Sequence, residues 1–340
     1  MTAATIGGVL LVAATGVDLA LTLLHPTRSG YLSRVAMSVT WRFARTAATR
    51  LRRNAIVGYA GPAIMLVQIS SWVLGLWLGF ALIYAGQLDH LGYMPPHDGS
   101  DVSFVDAVYF SGVSLSTVGF GELVAENDAL RLISAVQAAS GLAVFGAAIS
   151  YLLTVYPLVS ETRTIARLLT SAQDHKGAAE LVVHGGQSRL QALQRDLIQL
   201  DESTQRFPIL YYFHANDTSA SLGSAMRGAS LVTMQLQFGL AAQAAPYGHW
   251  YGQVLGRTLT RVTEHFSERF HPGADAAAGS QSTAEQVERA LVAIRDSAAE
   301  VTGVRAEDEA DREALARLLD HTNAFLAELE RQHLHSHERI

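Results

Sequence analysis

The sequence predicts an all-α membrane protein with three transmembrane helices and a short re-entrant helix, followed by an all-α cytoplasmic domain. Three long apolar segments lie before residue 157, and each is long enough to cross the roughly 30 Å hydrocarbon core of a bilayer. A shorter apolar segment, which cannot span, lies between the second and the third. After residue 157, charged residues alternate with leucine and isoleucine at helical spacing, which is typical of amphipathic helices in water.

The composition limits the classes of function. The chain has 340 residues, of which 49% are hydrophobic and 16% are charged, whereas about 25% charged is usual for soluble domains. The net charge of −6 gives no support for nucleic-acid binding. The absence of cysteine excludes disulfides, thiolate catalysis and cysteine zinc sites. The distribution of apolar and charged residues predicts three domains, at 1–56, 57–157 and 158–340.

The first apolar segment, residues 5–24, predicts a retained transmembrane helix. A secretory signal peptide is the alternative, but the segment has no basic region before it and no small-residue cleavage pattern after it. Its anomaly is Asp18, because an acid at that depth is costly unless it is paired or neutral. Asp18 either has a functional role or makes a structural hydrogen bond to a neighbouring helix or to the basic segment that follows. The structural role is favoured.

Residues 26–56 carry seven arginines and no acidic residue. Aromatic and aliphatic residues lie between the arginines, so we expect an interfacial amphipathic helix on an anionic membrane leaflet. A voltage sensor is disfavoured, because sensor arginines lie within a spanning apolar helix and this segment is too polar to span. The arginines are Arg28, Arg34, Arg42, Arg45, Arg50, Arg52 and Arg53.

The second transmembrane helix is predicted at 57–86, and the linker 87–101 after it has no lysine or arginine. Because positively charged loops remain on the cytoplasmic side, this asymmetry places 26–56 inside and the linker outside. The N-terminus is then outside, and the domain at 158–340 is cytoplasmic. The plasma membrane is the expected location, with the lipid bilayer as a partner.

Residues 103–115 predict a short helix of about 20 Å, which Ser103 caps and Asp106 stabilises in its first turn. A helix that crosses only half of the membrane must be buried in protein or line water. Its C-terminus carries partial negative charge, which favours a cation nearby. A third transmembrane helix is predicted at 130–156, where Gly141 and Gly146 allow either close helix packing or a hinge.

The run 109–122 contains the most informative pattern in the chain, because glycines alternate with other residues at 119 and 121. Glycine tolerates positive φ, so such a segment can turn successive carbonyl groups to the same side. Four such segments around an axis would form stacked rings of oxygens that replace the water around a monovalent cation. The run resembles the selectivity filter of potassium channels, with Phe120 in place of the usual tyrosine and Glu122 in place of the usual aspartate.

This resemblance to two-transmembrane, one-pore-loop potassium channels covers about 57–157. It implies a homotetramer that conducts K⁺, with K⁺ ions in the filter and no organic cofactor. It also implies a gating hinge at Gly141 in the inner helix, with Gly146 as a second gating position. The implied ion-binding residues are Thr117, Val118, Gly119, Phe120 and Gly121, and the implied filter-supporting residues are Tyr109, Phe110, Ser114, Ser116 and Glu122.

Residues 158–340 predict a helical domain that regulates or assembles the membrane part. A Rossmann-like domain is rejected, because the G-x-G-x-x-G pattern is absent. An unidentified cytoplasmic ligand is a candidate partner of this domain. Two residue groups each have two interpretations. A solvated tail is favoured over a weak transition-metal site for His333, His335 and His337, and core packing is favoured over a pocket for Tyr211, Tyr212, Phe213 and Trp250.

Two functions are consistent with these patterns. The first is a homotetrameric potassium channel gated by its inner helix and by the cytoplasmic helices. The alternative is a membrane-anchored ligand sensor or enzyme whose membrane domain is pore-like but does not conduct. The sequence has no nucleophile elbow, P-loop or EF-hand loop, so a non-enzymatic function is expected.

Overall fold

The computed structural model describes residues 2–25, 30–51, 55–94, 101–213, 221–241, 247–270, 282–306 and 310–333. The chain forms two compact units. The first, which we call the membrane unit, contains residues 1–50 and 60–156. The second, which we call the helical unit, contains residues 51–59 and 157–340.

Three helices in the described residues are long and apolar enough to cross a membrane, which confirms the predicted all-α membrane class. The span candidates are Ala3–Leu23, Ala60–Ala85 and Asp128–Leu168. In chain order the elements are α1 (Ala3–Leu24), α2 (Tyr31–Leu51), α3 (Ala55–Gly58), α4 (Ala60–Ala85), β1 (Leu91–Tyr93), α5 (Phe104–Leu115), β2 (Leu123–Ala125) and α6 (Asp128–Leu168).

Helix α1 packs along α4 of its own chain through small residues. A side-chain carbon on Gly79 would lie 2.7 Å from a methyl group of Val12, and one on Gly75 would overlap the hydroxyl of Thr15. Small residues allow membrane helices to approach closely enough for van der Waals contact along their length. The first transmembrane helix is therefore an integral part of the membrane unit.

A two-stranded antiparallel sheet is formed by the segments before and after the short helix α5. This sheet was not predicted from the sequence. Strands β1 and β2 pair with Leu91 opposite Ala125 and Tyr93 opposite Leu123. The backbone N–H of Met94 also donates to the carbonyl of Glu122, over 2.8 Å. The segment that leads into α5 is thus fastened to the segment that follows the filter-like run.

Helix α6 corrects the predicted end of the third transmembrane helix. The prediction ended that helix at 156, whereas α6 continues through Pro157 to Leu168, over 41 residues. Proline within a helix removes one N–H from the hydrogen-bond ladder at a cost of ~3 kcal/mol. Val155 and Val159 are buried on either side of Pro157, so packing of both flanking turns offsets this cost.

The described residues of the helical unit form helices and contain no strand. Its later elements are α7 (His175–Arg206), α8 (Leu222–Met234), a π-helical turn (Gln235–Gly239), α9 (Gly248–Phe270), α10 (Ala284–Thr302) and α11 (Arg312–His333). Gly186, with φ of 67°, kinks α7. The π turn interrupts the helix that begins with α8.

Two apolar clusters form the interior of the helical unit. The larger includes Leu197, Leu231, Leu255 and Phe266, and the smaller includes Met234, Ile294 and Leu315. Helix α11 contributes a stripe of apolar side chains to this interior, and all of its members are buried. They are Leu315, Leu318, Leu319, Phe325, Leu326 and Leu329.

The aromatic residues of the helical unit divide between the two interpretations given above. Tyr211 is buried, and its ring lies 5.2 Å from that of Tyr212 and 6.2 Å from that of Phe266. Core packing is therefore confirmed for Tyr211. It is wrong for Trp250, which is 58% exposed because it lies on the outer face of the first turn of α9.

Candidate functional site

The short helix α5 begins with a complete capping box and ends in the filter-like run. Ser103 donates its backbone N–H to Asp106 over 2.8 Å, and the Ser103 hydroxyl caps the N–H of Asp106 in return. Tyr93 of β1 donates its hydroxyl to the same carboxylate over 2.9 Å. The start of α5 is therefore fixed both locally and to the small sheet.

The C-terminal end of α5 leads directly into the run. The N–H of Thr117 donates to the carbonyl of Ser114, and the N–H of Val118 donates to the carbonyl of Val113, each over 3.1 Å. Ser116 ends the helix and bonds its hydroxyl back to the Val113 carbonyl over 3.2 Å. These bonds aim the C-terminal end of the helix dipole at the start of the run.

The backbone of the run alternates in conformation. Thr117, Gly119 and Gly121 have positive φ angles of 58°, 56° and 88°, whereas Val118 and Phe120 between them do not. Alternation of left-handed and ordinary conformations turns successive carbonyl groups toward one side of the strand. Among the described residues, Thr117 is the one non-glycine residue with positive φ. Such strain costs ~1–3 kcal/mol and is concentrated at functional sites.

Two aromatic residues and an acid that were predicted to support the run lie beside it. Phe110 is buried against Tyr84, with 4.9 Å between their ring centroids. Tyr109 donates its hydroxyl to the carboxylate of Glu122. This bond holds the Glu122 end of the run to α5. Phe120 has no hydroxyl and cannot make a hydrogen bond of this kind with its side chain. Of the remaining supporting residues, Ser116 caps the helix and Ser114 lines a cleft behind the run.

That cleft has a volume of about 630 Å³ and is bounded by α5, β2 and the start of α6. Its lining is mostly apolar and includes Phe110, Val113 and Leu123. The side chains of Val118 and Phe120, by contrast, are 54% and 70% exposed in the single chain. The membrane unit therefore presents apolar projections and an apolar recess near each other.

Gly141 lies where α6 crosses the end of α5. A side-chain carbon on Gly141 would overlap the carbonyl oxygen of Leu115, so only glycine permits this approach. Close packing thus gives a direct physical reason for glycine at 141. Gly146 has open space around it, with nothing within 4 Å of an added carbon.

A buried polar cluster joins α4, α5 and α6, and it was not predicted from the sequence. Gln137 of α6 donates to the hydroxyl and the carbonyl of Ser111 on α5, both over 2.8 Å, and accepts from the hydroxyl of Tyr84 on α4 over 2.8 Å. Ser111 in turn donates to the Trp77 carbonyl over 2.7 Å. A lone glutamine inside an apolar helix was the signal that could have revealed it.

A second buried polar cluster surrounds Asp18, which is 3% exposed. Asp18 accepts from the hydroxyl of Ser33 over 2.5 Å and from the indole N–H of Trp72 over 3.0 Å. The structural role predicted for Asp18 is therefore confirmed, since its partners lie on the neighbouring helix α4 and on the basic segment that follows.

The predicted histidine tail lies largely beyond the part of the chain that the structure describes. His333 is the last residue of α11, and His335 and His337 lie outside the described residues. Within the described residues, no group of three histidine, aspartate or glutamate side chains could hold a metal ion.

Comparison with known proteins agrees with this geometry. A sequence model of the family described as "Ion channel" matches residues 68–156, which contain most of α4, the whole of α5, the filter-like run and the first part of α6. Residues 68–156 are similar to the ion channel family. The resemblance read from the run 109–122 is confirmed at this level, and we call the matched segment the ion channel domain.

Similarity to a bacterial membrane protein covers more residues than the ion channel domain contains. The chain is 26% identical over 225 residues to the uncharacterized membrane protein YdjJ of Bacillus subtilis (strain 168). The similarity covers 64% of this chain and 64% of that protein, which is less than two thirds of the relative's own length. No solved structure matches the chain.

Proposed function

We propose that the protein is a potassium-selective channel in which four identical chains surround one pore. The similarity of residues 68–156 to the ion channel family supports ion conduction. The observation that carries the choice of ion is the alternating backbone at Thr117, Gly119 and Gly121. Rings of backbone carbonyls that replace the hydration shell are the physical basis of K⁺ selectivity.

In this proposal each chain contributes one strip of oxygen ligands. The carbonyls of residues 117–120 and the Thr117 hydroxyl contact the dehydrated ion, and Gly121 shapes the outer end. The C-terminal dipole of α5 favours a cation on the inner side of the filter. K⁺ is the transported ion, and the proposal requires no organic cofactor and no enzymatic step.

The exposed side chains of the filter run support assembly into a ring. Val118 and Phe120 are exposed in the single chain, and the apolar cleft of about 630 Å³ is lined by residues of α5, β2 and the start of α6. When a projection on one copy fills a recess on the next, the contact is heterologous and repeats until the ring closes. Four copies would then bury these side chains and complete the filter.

The topology and the gate follow from features already described. The arginines of α2 support a position of that helix on the cytoplasmic side of the plasma membrane, and in this proposal the linker before α5 lies outside. We propose that the gate is formed by the inner part of α6, near Gly141 and Gly146, and that the helical unit acts on it through the continuous helix.

Reconstituted protein tests the proposal. Vesicles that contain the purified full chain should show K⁺ flux that exceeds Na⁺ flux, and the protein should run as a tetramer in detergent. Gly119→Ala should abolish this preference, because an alanine at φ of 56° is strained by ~1–2 kcal/mol and would displace the carbonyls.

The matched control is Gly16→Ala, since Gly16 lies within α1 and an added carbon there meets nothing within 4 Å. Gly16→Ala should leave flux and selectivity unchanged. Equal K⁺ and Na⁺ fluxes in the native protein, or a stable monomer in detergent, would contradict the proposal.

A further inference from the structure

Helix α2 has two clearly different faces. Its buried face is a continuous stripe at helical spacing, formed by Ser33, Met37, Trp41, Ala44 and Ala48. Its outward face carries exposed arginines together with exposed apolar side chains, of which Val39 and Phe43 are 58% and 76% exposed. The exposed arginines of α2 are Arg34, Arg42 and Arg50.

The chemistry of the outward face fits the surface of an anionic membrane leaflet. The helix has four arginines and no acidic residue, so it complements negatively charged phosphate headgroups. Apolar side chains on the same face can reach the acyl chains beneath those headgroups, as in interfacial amphipathic helices. An acidic protein would match the arginines but would leave Val39 and Phe43 in water, and lipid is therefore the favoured partner.

The inward face of α2 is attached to α1 and α4 through Ser33. Its hydroxyl and its backbone N–H both donate to Asp18, over 2.5 and 3.3 Å. The amide of Gln68 on α4 lies 2.6 Å from the same hydroxyl. Gly30, just before α2, approaches Asp18 so closely that any side chain there would overlap the carboxylate. The position of α2 is thus set by contacts with the buried carboxyl group of Asp18.

The same carboxylate is linked to the inner helix of the ion channel domain. Trp72 donates its indole N–H to Asp18 over 3.0 Å, and the Trp72 ring packs edge-on against Tyr151 of α6, with 6.1 Å between centroids. Tyr151 is buried and lies one turn and a half beyond Gly146. A continuous set of contacts therefore runs from α2 through Asp18 to α6.

We propose that α2 binds anionic lipid headgroups and that this binding regulates the ion channel domain through Ser33, Asp18, Trp72 and Tyr151. Movement of α2 on the membrane surface changes the hydrogen bonds at Asp18, and Trp72 transmits that change to the inner helix. The regulatory part of this proposal rests on the proposed channel function, whereas the lipid-binding part does not.

Lipid binding is measured on the full chain in detergent micelles by native mass spectrometry, during titration with phosphatidylglycerol or with phosphatidylcholine. The native protein should retain phosphatidylglycerol in preference. The double variant Arg34→Gln/Arg42→Gln should bind it ~30-fold more weakly, because each surface arginine near anionic lipid contributes about a factor of five. Equal retention of the two lipids, or unchanged binding in this variant, would overturn the proposal.

The control for loss of charge is Arg257→Gln/Arg261→Gln, which removes two exposed arginines from α9 of the helical unit. This variant should bind phosphatidylglycerol as the native protein does. If both double variants lose binding to the same extent, the lipid responds to overall charge and the role of α2 is refuted.

Coupling is measured as K⁺ flux into phosphatidylcholine vesicles with and without phosphatidylglycerol. Ser33→Ala and Trp72→Phe each remove one donor to Asp18, and Trp72→Phe keeps a ring beside Tyr151. Both variants should retain phosphatidylglycerol binding and lose the lipid dependence of flux. Ser38→Ala is the matched control on α2, because the Ser38 hydroxyl bonds only to the Val35 carbonyl among the described contacts, over 3.0 Å.

The two proposals fail in different ways. No K⁺ flux in either lipid mixture would contradict the channel function and leave the lipid-binding result intact. Flux that is the same in both mixtures would contradict the regulation. Flux that still depends on lipid in Ser33→Ala and Trp72→Phe would refute the route through Asp18.

Discussion

Both units bury polar side chains, such as Gln137 and Asp18 in the membrane unit and Thr233 and Gln235 in the helical unit. Their surfaces differ. Most of the exposed large apolar side chains lie before residue 157, and the ion pairs of the helical unit lie on its surface.

The difference follows from the solvent of each unit. In water, burial of apolar surface drives folding, and most charged groups remain at the surface. In a bilayer, lipid is as apolar as leucine, so close packing of small residues and interhelical hydrogen bonds decide which helices associate. We therefore expect the two units to respond differently to loss of an apolar side chain and to loss of a hydrogen bond, and hydrogen exchange measured on the full chain can read both units at once.

The largest expected effect is in the apolar core of the helical unit. Leu255→Ala removes a fully buried side chain of α9 and should destabilise that unit by ~2–5 kcal/mol. Hydrogen exchange should accelerate in α9 peptides and stay unchanged in α4 and α5 peptides. Ile198→Ala, at a position 45% exposed, is the control and should have little effect. Similar acceleration in the control would show that this core is not tightly packed.

The next effect tests the polar cluster of the membrane unit. Gln137→Leu leaves the Tyr84 hydroxyl and the Ser111 carbonyl without this partner, at an expected cost of ~1–3 kcal/mol. Hydrogen exchange should accelerate in α5 and in the first part of α6, around Gln137. Leu142→Ala, which trims a side chain 67% exposed on the same helix, should have a smaller effect. If trimming Leu142 costs more than replacing Gln137, the contrast between the two units is wrong.

Close packing at Gly141 comes third. Gly141→Ala forces α6 away from the end of α5, and overpacking of this kind typically costs ~1–3 kcal/mol. Thermal unfolding in detergent should occur at lower temperature for Gly141→Ala than for Gly146→Ala, where the added methyl group meets open space. A hinge without a packing role would make the two variants equally stable.

The smallest effect concerns acid sensitivity in the helical unit. Burial lowers the pKa of His175, and the nearby Arg227 lowers it further. The folded state therefore resists protonation, and its stability should decline as pH falls below the ordinary histidine value of about 6.5. His175→Gln should reduce that decline, as measured by exchange in peptides from the start of α7 after correction for intrinsic rates. An identical pH dependence in both proteins would contradict this assignment.

The features predicted from the sequence are those with a local signal. The spanning helices follow from uninterrupted apolar length, and the filter run follows from glycines at 119 and 121. The short helix α5 follows from its apolar length and from Ser103 and Asp106 at capping spacing. Each of these signals lies within one segment, so no knowledge of the tertiary structure is needed.

The features that were missed depend on partners distant in sequence. Gln137 and Ser111 are 26 positions apart. A role for Asp18 in helix contacts was predicted, but its partner Trp72, 54 positions away, was not. Strands of three residues, such as β1 and β2, are too short for periodicity to indicate them. The continuation of α6 through Pro157 was missed for a related reason, because a local rule that ends helices near proline was outweighed by packing on both sides.

The pairing of β1 with β2 has a consequence for replacement of the segment between these strands. Because Leu91 pairs with Ala125, the segment between them is a loop closed by hydrogen bonds between β1 and β2. This loop contains α5 and the filter-like run. The entropic cost of closing a flexible loop depends mainly on its length. We expect this segment to be exchangeable between related chains only together with its contacts on the spanning helices, which are Trp77, Gln137 and Gly141.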